Sequence, residues 1–387
     1  MSYHKFRGDQ LFDGYRFREK DEVLIMKEDG SFSNILPSAE AGDDIQDKTG
    51  IISPGFINCH CHLELSHMKG NIPQKTGLVQ FIRQVIMTRQ NGQEEMTRSI
   101  EIAEDEMFNS GIVAVGDICN NSITLTQKLK GRLRYHNFVE TFGFLPAVAD
   151  ERFQGAVEIY KEYTKNYSPT SSSSIVPHAP YSVSQELWEK IIQFPGNKLL
   201  TIHNQETLAE DELFQDKKGE FLDFYSDLNT DISFFEPSGR SSLQTYLTRI
   251  QANQQVILVH NVYTSQEDLK FLKNGFIKCS VYFCLCPNAN LYITGQLPNL
   301  ELLMAGGADI VLGTDSLASN QQLSILAEMQ TIRRHFPSVP VEKLFGWATL
   351  NGAKALQMDN ILGSFEAGKQ PGVVLTNSDL SASRRLM

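Results

Sequence analysis

The sequence predicts an α/β protein, a (β/α)8 TIM barrel with a small β-sandwich domain formed by its N- and C-terminal segments. The chain has 387 residues, enough for a barrel of roughly 250 residues with additions. From residue 51, short apolar segments alternate with longer amphipathic ones, as in parallel β/α units. Both termini are rich in β-forming residues and turns. We therefore predict a barrel at 51–358, with 1–50 and 359–387 as the two parts of the small domain.

The two terminal segments both have the pattern of strands and turns. The stretch "EVLIMKEDGSF" (22–32) is a run of β-forming residues that turns at Asp29-Gly30, a frequent hairpin sequence. The tail "GSFEAGKQPGVVLTNSDL" (363–380) has a similar pattern. Two β segments that flank a barrel are expected to pair with each other in one domain.

Eight short apolar runs are predicted to supply the barrel strands. Helix-like segments such as "GLVQFIRQVIMTRQ" (77–90) and "LSILAEMQTIRRHF" (323–336) lie between them, with the apolar spacing of amphipathic helices. Eight strands that alternate with helices give the strand count of this barrel. In chain order the runs are "IISPGFINCH", "GIVAVGDIC", "RYHNFVETFG", "SSIVPHAP", "KLLTIHNQE", "QVILVHN", "FIKCSVYF" and "ADIVLGTDS".

Polar residues stand where several of these strands end. In this barrel the carboxyl ends of the strands face the active site, so we expect the polar side chains to converge there. They are His60, His62, His178, His203, His260 and Asp315. His60 and His62 are two residues apart, so both point to the same face of their strand. Cys59 and Cys61 point to the other face, where we expect them to pack against helices.

This constellation is typical of a metal site. A single strand-end histidine is usually a hydrogen-bonded structural residue, but five of them with an acid favour metal ligation. Imidazole and carboxylate groups suit a divalent ion such as zinc. A rival site made only of cysteines is less well supported, because its two Cys-x-Cys pairs lie on different strands and the first faces away from the lumen. Its members would be Cys59, Cys61, Cys284 and Cys286.

Four separated motifs resemble those of the amidohydrolase superfamily, and within it the branch of single-metal deaminases and chlorohydrolases that act on aromatic amines. The motifs are "PGFINCHCHLELS", "HNQE", "CPNANLYITGQLP" and "GADIVLGTDSLASN". They occur in the family's order and span nearly the whole chain. The family's usual tail, Gly-Lys-x-Ala-Asp, is replaced here by "GKQPG" (368–372), a departure that concerns the small domain and not the site.

The resemblance implies a role for each matching residue. The metal ligands would be His60, His62, His203 and Asp315. Glu206 would carry a proton from water to a ring nitrogen, His260 would steady the attacking oxygen, and Asp315 would accept a proton as ammonia leaves. His178 and Ser319 would contact substrate. Strand 4 lacks the lysine that bridges two metals in other members, so one ion is expected, with zinc favoured over iron or manganese.

The substrate is less closely defined. Tyr181, Tyr282 and the aromatic residues of the segment 206–255, which we expect to cap the pocket, suit a flat heterocycle. Glu64 either pairs with an arginine at the barrel rim or contacts a ribose or amine. The stretch "ELS" (64–66), followed by the segment 77–90, resembles aminodeoxyfutalosine deaminases.

The leading functional hypothesis is a metal-dependent hydrolytic deaminase. It would convert an aromatic C–NH2 group of a purine-type base or nucleoside (aminodeoxyfutalosine, adenosine-like or guanine-like) to a carbonyl and release ammonia. The same ligands would also serve a chlorohydrolase or a cyclic amidohydrolase. An inactive binding protein is a third alternative, against which the complete set of polar residues argues.

Charge and composition exclude some partners. The formal net charge of −11 argues against a nucleic-acid or anionic-membrane surface, which needs clustered Lys and Arg. We find no signal-peptide pattern and no apolar run long enough to span a membrane. The six cysteines are expected to be reduced thiols in a cytoplasmic protein. The family resemblance implies a small heterocyclic amine as the partner, and the sequence leaves a homodimer open.

Overall fold

The computed structural model describes residues 2–165, 170–275 and 277–387. Within these ranges the chain forms sixteen strands. In chain order they are β1 (Tyr3–Arg7), β2 (Gln10–Leu11), β3 (Glu22–Lys27), β4 (Phe32–Pro37), β5 (Ile45–Asp47), β6 (Ile51–Ser53), β7 (Phe56–Cys61), β8 (Ile112–Cys119), β9 (Arg134–Thr141), β10 (Ser171–Pro177), β11 (Leu199–Asn204), β12 (Gln255–His260), β13 (Ser280–Leu285), β14 (Asp309–Leu312), β15 (Val374–Thr376) and β16 (Ser383–Arg385).

Helices follow most of the strands from β7 onwards. They are amphipathic, as α2 illustrates: its buried residues Ile100, Ala103 and Met107 are three and four positions apart and so lie on one face of the helix. Among the described residues, no helix has the length and apolarity needed to cross a bilayer. The helices are α1 (Leu78–Thr88), α2 (Gln93–Asn109), α3 (Leu125–Lys128), α4 (Ala149–Lys165), α5 (Gln185–Gln193), α6 (Leu208–Asp216), α7 (Glu220–Asp227), α8 (Ser242–Tyr246), α9 (Gln266–Lys273), α10 (Pro287–Ile293), α11 (Leu300–Ala305), α12 (Ile325–His335), α13 (Val341–Gly346) and α14 (Gly352–Ala355).

Strands β7 to β14 form the barrel. They pair in parallel in two groups, β7 to β10 and β11 to β14. Two contacts join the groups: Cys61 pairs with Asp315, and the His203 N–H donates to the carbonyl oxygen of His178 over 3.0 Å. A Cβ atom at Gly313 would lie 2.8 Å from the His60 Cβ, so a glycine is needed for the chain after β14 to approach β7. The predicted barrel is confirmed.

The terminal segments form two four-stranded sheets, with the orders β4-β3-β1-β5 and β16-β15-β6-β2. The predicted hairpin at Asp29-Gly30 joins β3 and β4, and Gly30 has the positive φ (81°) that such a turn requires. The strand β6 pairs with β15 and β2, so the run "IISPGFINCH" is divided between two sheets at Pro54-Gly55. We therefore propose that the small domain extends to this Pro-Gly pair, past residue 50.

Some strand positions differ from those predicted. The seventh barrel strand was expected at 276–283 but runs from Ser280 to Leu285, and Phe276 lies outside the described residues. The strand β14 ends at Leu312, so Asp315 lies in the loop that follows. Cys59 packs on the outer side of the barrel as expected, with its Sγ 3.7 Å from the carbonyl oxygen of Gly352 in α14.

Candidate active site

Four side chains converge at the carboxyl end of the barrel. They are His60, His62, His203 and Asp315, and one ligand-type atom from each lies within 4.8 Å of those of the others. The Nε2 atom of His62 is 3.2 Å from the Nε2 of His60 and 3.3 Å from the Oδ1 of Asp315. All four residues are buried. Their polar atoms therefore face one another, away from solvent.

The charge state of these groups suits a cation. Burial lowers the pKa of His62 well below its usual value and that of His203 to about 4, so both imidazoles are neutral at pH 7. Burial opposes ionisation of Asp315, but hydrogen bonding from His60 and the neighbouring imidazoles lower its pKa well below the usual range. Neutral imidazoles and an ionised carboxylate are the forms that bind metals. The donor set therefore fits a divalent metal ion.

Further hydrogen bonds orient the ligand-type groups. The Nδ1–H of His203 donates to the carbonyl oxygen of His178 over 2.7 Å, which leaves Nε2 with a lone pair for the cluster. The Ser319 hydroxyl donates to the Oδ2 of Asp315 over 2.5 Å, so Oδ1 faces the histidines. Such outer contacts fix the tautomer and direction of metal ligands.

A buried ion pair fixes the chain just after His62. The Leu63 N–H donates to the Oδ1 of Asp117 over 2.8 Å, and the Oδ2 of Asp117 lies 2.5 Å from the Nζ of Lys128. Both charged groups are almost completely buried. Because an unpaired buried charge is costly, Asp117 and Lys128 must stay together. Asp117 is thereby fixed in position, and its bond to Leu63 holds the segment that follows His62 in place.

Ser319 does not line the cavity beside the cluster and is fully buried. Its position favours a role in orienting Asp315 over the substrate contact predicted from the sequence. We expect Ser319→Ala to weaken metal binding about 10- to 100-fold, the usual effect of losing such a partner. Titration with a competing chelator measures the metal affinity. Ser182→Ala is the matched control, because it removes a hydroxyl that contacts His178 and no member of the cluster. Equal affinities in Ser319→Ala and the unaltered protein would contradict the assignment.

Glu206 lies beside the cluster with one oxygen free. The residue is buried, its Oε1 has no hydrogen-bond partner among the described residues, and its Oε2 is 3.5 Å from the Nε2 of His260. Burial, with the nearby charges of Asp315 and Glu210, raises the pKa of Glu206 well above its usual value. A carboxyl group of raised pKa in a cleft is suited to proton transfer near neutral pH.

His260 is oriented as a hydrogen-bond donor. The side-chain amide of Asn290 donates to its Nδ1 over 3.0 Å, so the proton of the neutral ring is on Nε2, the atom that faces Glu206. Burial lowers the pKa of His260 well below its usual value, so the ring is neutral. An N–H group is thereby directed into the site.

The backbone around the site is strained. Four non-glycine residues have a left-handed conformation there: Gln205, His260, Asn261 and Asp315, with φ of 45°, 76°, 60° and 58°. Such conformations cost on the order of 1–3 kcal/mol each and persist only where the surroundings impose them. One imposing contact is the hydrogen bond of 3.0 Å from the side-chain amide of Asn204 to the Oδ1 of Asn261.

A cavity of about 270 Å3 opens beside these groups. The predicted contacts His178, Tyr181 and Glu64 line it, whereas Tyr282 does not, because Tyr282 lies on the outer side of β13. The helices α1 and α7 cover the cavity with apolar residues, so part of the predicted capping segment does lie over it.

The Nδ1 of His178 is 2.9 Å from the Ser182 hydroxyl, which donates to the Ala179 carbonyl. The Nδ1 of His178 therefore donates, and its Nε2 is free to accept.

Both predicted environments of Glu64 are present. Its Oε1 accepts a hydrogen bond of 3.1 Å from the Nη2 of Arg89, which is the rim pair, and its carboxylate also lines the cavity. Burial raises the pKa of Glu64 to about 7. Its other oxygen, Oε2, accepts a hydrogen bond of 3.0 Å from the backbone N–H of Asn120, so both oxygens of Glu64 have protein partners.

Among the residues of this site that sequence reasoning missed are Arg89, Asn120, Glu140 and Asn290. Glu140 stands near the end of a predicted barrel strand, which is the same signal that selected His178. Asn290 lies in the motif "CPNANLYITGQLP", to which no role had been given. Arg89 lies in the segment 77–90, but the sequence did not single it out as the rim arginine that pairs with Glu64, and Asn120 lies outside the family motifs.

Known proteins resemble this chain over most of its length. The model of the amidohydrolase family matches residues 51–385. An adenosine deaminase from Helicobacter pylori is 28% identical over 329 residues, 84% of this chain and 78% of that protein. The structure of aminofutalosine deaminase from Helicobacter pylori with methylthio-coformycin has a TM-score of 0.83 at 23% identity, over 97% of this chain and 92% of that one. An adenosine deaminase from Xanthomonas campestris with bound zinc has a TM-score of 0.74 at 20% identity, over 97% and 84%.

Proposed function

Because the chain belongs to the amidohydrolase family, as its four motifs predicted, we propose that it is a metal-dependent deaminase of an aminated purine or purine nucleoside. One observation carries the proposal. The free, buried carboxylate oxygen of Glu206 lies beside four converging metal-ligand side chains, within a cavity lined by aromatic residues. The relatives named above as adenosine and aminofutalosine deaminases support this substrate class.

The cluster of His60, His62, His203 and Asp315 would hold the ion, which we propose to be zinc, as in the Xanthomonas structure. When bound, such an ion makes water available as hydroxide near pH 7. Glu206 would take up a proton from the attacking water at its free Oε1 and deliver it to the ring nitrogen next to the amine. That transfer matters because an aromatic C–NH2 carbon becomes electrophilic once the adjacent nitrogen is protonated.

His260 and Asp315 assist the same step. The Nε2–H of His260 donates to the oxygen that adds to the ring carbon, and a donor fixed in this way stabilises developing charge. Asp315 then accepts the proton of the added hydroxyl group. Asp315 passes this proton to the amine, the C–N bond breaks with ammonia as the leaving group, and the ring carbon keeps the oxygen as a carbonyl. Water and the amine are thus converted to a carbonyl and ammonia.

Ammonia release from a panel of compounds tests the proposed function. The panel is adenosine, 5′-methylthioadenosine, S-adenosylhomocysteine, adenine, guanine and a chlorinated triazine. We expect ammonia from at least one aminopurine, abolished by a chelator and restored by zinc. Release of chloride from the triazine without ammonia from any aminopurine would contradict the proposal and favour a chlorohydrolase.

We predict one tightly bound divalent ion per chain. The second ligand-type group among the described residues combines Glu140, His178 and His203, but it shares His203 with the first. The Nδ1 of His203, on the side of Glu140, is already hydrogen-bonded to a carbonyl. Elemental analysis of fully active protein measures the stoichiometry. Two tightly bound ions per chain would contradict this prediction.

A further inference from the structure

Glu210 is a buried acid near the site that the deamination step does not use. It lies in α6, in the turn of helix that follows Glu206, and is completely shielded from solvent. Its Oε1 accepts a hydrogen bond of 3.0 Å from the backbone N–H of Gln205 and another from the Ser242 hydroxyl. Because a buried acid is costly unless it is hydrogen-bonded, these two bonds are the contacts that hold Glu210 in place.

The backbone that Glu210 bonds belongs to the turn that presents Glu206. The strand β11 ends at Asn204 and α6 begins at Leu208, so Glu206 lies in the short connection between them. Gln205 has a φ of 45°, a left-handed conformation that persists only where the surroundings impose it. The bond from the Gln205 N–H to Glu210 is one such constraint, and the direction of the next side chain, Glu206, depends on it.

The side chain of Gln205 is fixed as well. Its amide nitrogen donates to the Oδ2 of Asp268 over 3.1 Å, and its amide oxygen accepts a bond of 2.8 Å from the Thr264 hydroxyl. The carbonyl oxygen of Gln205 accepts a bond of 3.0 Å from the N–H of Tyr263. Tyr263 and Thr264 follow the strand that ends at His260, so Gln205 joins the turn of Glu206 to the loop after His260.

The aim of Glu206 therefore depends on the acceptor that Glu210 provides. Gln205 is completely buried, so loss of that acceptor would leave its N–H without a partner and away from water, which is costly. The left-handed conformation would also lose a bond that offsets its strain. A shift of the turn that relieves both costs would move Glu206.

We propose that Glu210 is a positioning residue for Glu206. By accepting the Gln205 N–H, it holds the turn in the conformation that places the Glu206 carboxylate beside the metal-ligand cluster. Glu210 acts through this turn and does not line the cavity itself. The proposal rests on the proposed function for the role of Glu206 as the proton carrier.

A purely electrostatic role of Glu210 is the alternative, because its charge adds to burial and Asp315 in raising the pKa of Glu206. Two substitutions separate the roles. Glu210→Gln keeps the acceptor oxygen and removes the charge, and the Oε2 that its amide nitrogen replaces has no partner among the described residues. Glu210→Asp keeps the charge but withdraws the acceptor by the length of a methylene group. A positioning residue should tolerate glutamine better than aspartate.

Turnover of an aminopurine by the zinc-loaded variants tests the proposal. We expect Glu210→Asp to lower kcat by about 10- to 100-fold, the scale of a misplaced catalytic group, and Glu210→Gln to lower it by about 3-fold or less. The KM and the metal content should stay near those of the unaltered protein in both variants. Glu104→Asp is the matched control, because Glu104 is an equally buried acid whose partners Tyr135 and Gln127 do not line the cavity.

Combination with Glu206→Gln distinguishes positioning from a merely structural role. If Glu210 acts through Glu206, then Glu210→Asp should change the residual rate of Glu206→Gln by about 2-fold or less, because residues that act as a unit are not additive. Should Glu210→Asp not fold, a fall in kcat of more than about 10-fold in Glu210→Gln would by itself exclude a role that rests on the acceptor.

Four results overturn the proposal. They are an unaltered rate in Glu210→Asp, a loss of metal that accounts for its lower rate, a larger loss in Glu210→Gln than in Glu210→Asp, and the same fold-loss from Glu210→Asp with and without Glu206→Gln. Hydrogen exchange of the segment 199–208 separates this proposal from the proposed function, because it needs no turnover. Faster exchange in Glu210→Asp than in Glu210→Gln, without ammonia from any aminopurine, supports the positioning of the turn and contradicts the deaminase. Ammonia from the unaltered protein with equal exchange and equal rates in both variants has the opposite meaning.

Discussion

Glu206→Gln is expected to lower the turnover of an aminopurine by about 100-fold or more, while metal content stays at the level of the unaltered protein. Glutamine has the shape of glutamate but cannot carry a proton, and proton transfer by a positioned side chain contributes roughly 100- to 10,000-fold. The carboxylate lies beside the metal-ligand cluster and outside it. Loss of the carboxylate should therefore lower the rate of the reaction and leave the metal-ligand side chains in place.

Metal content and turnover are measured on the same preparation of Glu206→Gln. Loss of metal would instead make Glu206 a ligand. Turnover above about a tenth of the unaltered rate would exclude a proton shuttle, because it falls outside the range that such transfer contributes. Glu151→Gln, at an exposed position near the cavity, serves as the control for the same substitution.

His260→Ala is expected to lower turnover by about 100-fold or more with near-normal metal content. Its Nε2–H faces the site because Nδ1 is occupied by Asn290, so the ring acts as a donor and not as a ligand. Removal of one fixed donor to a developing oxyanion typically costs about 100- to 1,000-fold. Four other side chains form the proposed ligand set, which would leave a position for water.

The decisive comparison for His260→Ala is between metal content and rate. If both fall in proportion, His260 is a ligand and the assignment of the site is wrong. His136→Ala is a suitable control, because His136 is another buried histidine, bonded to Ser172 and Ser174 in place of the site residues. That variant should retain its rate per bound metal.

The barrel could be predicted from the sequence because its signals are local. The alternation of apolar runs and amphipathic segments follows from burial of the strands on both faces, and every residue of β8 is indeed buried. The convergence of the strand-end histidines could be predicted from the same pattern, since the carboxyl ends of barrel strands meet at one face. The position of β6 was missed because Pro54-Gly55 divides one apolar run between two sheets.

The finer parts of the site depend on how the loops fold. Ser319 is only four residues from Asp315, but the sequence does not indicate that the loop turns the Ser319 hydroxyl onto this carboxylate and not into the cavity. Asn120 could not be selected either, because its importance comes from bonding two acids that lie 56 and 20 residues away in sequence. Such roles become visible only once the loops after different strands are brought together.

The left-handed backbone at His260, Asn261 and Asp315 has a consequence for protein engineering. Proteins sit near a stability threshold, and substitutions that relieve strained sites commonly raise thermal tolerance at the expense of activity. Selection for heat resistance alone should therefore enrich substitutions that relax this backbone. Selection for growth that depends on the reaction should remove the same substitutions. Selection for stability and selection for activity should therefore favour different residues at these positions.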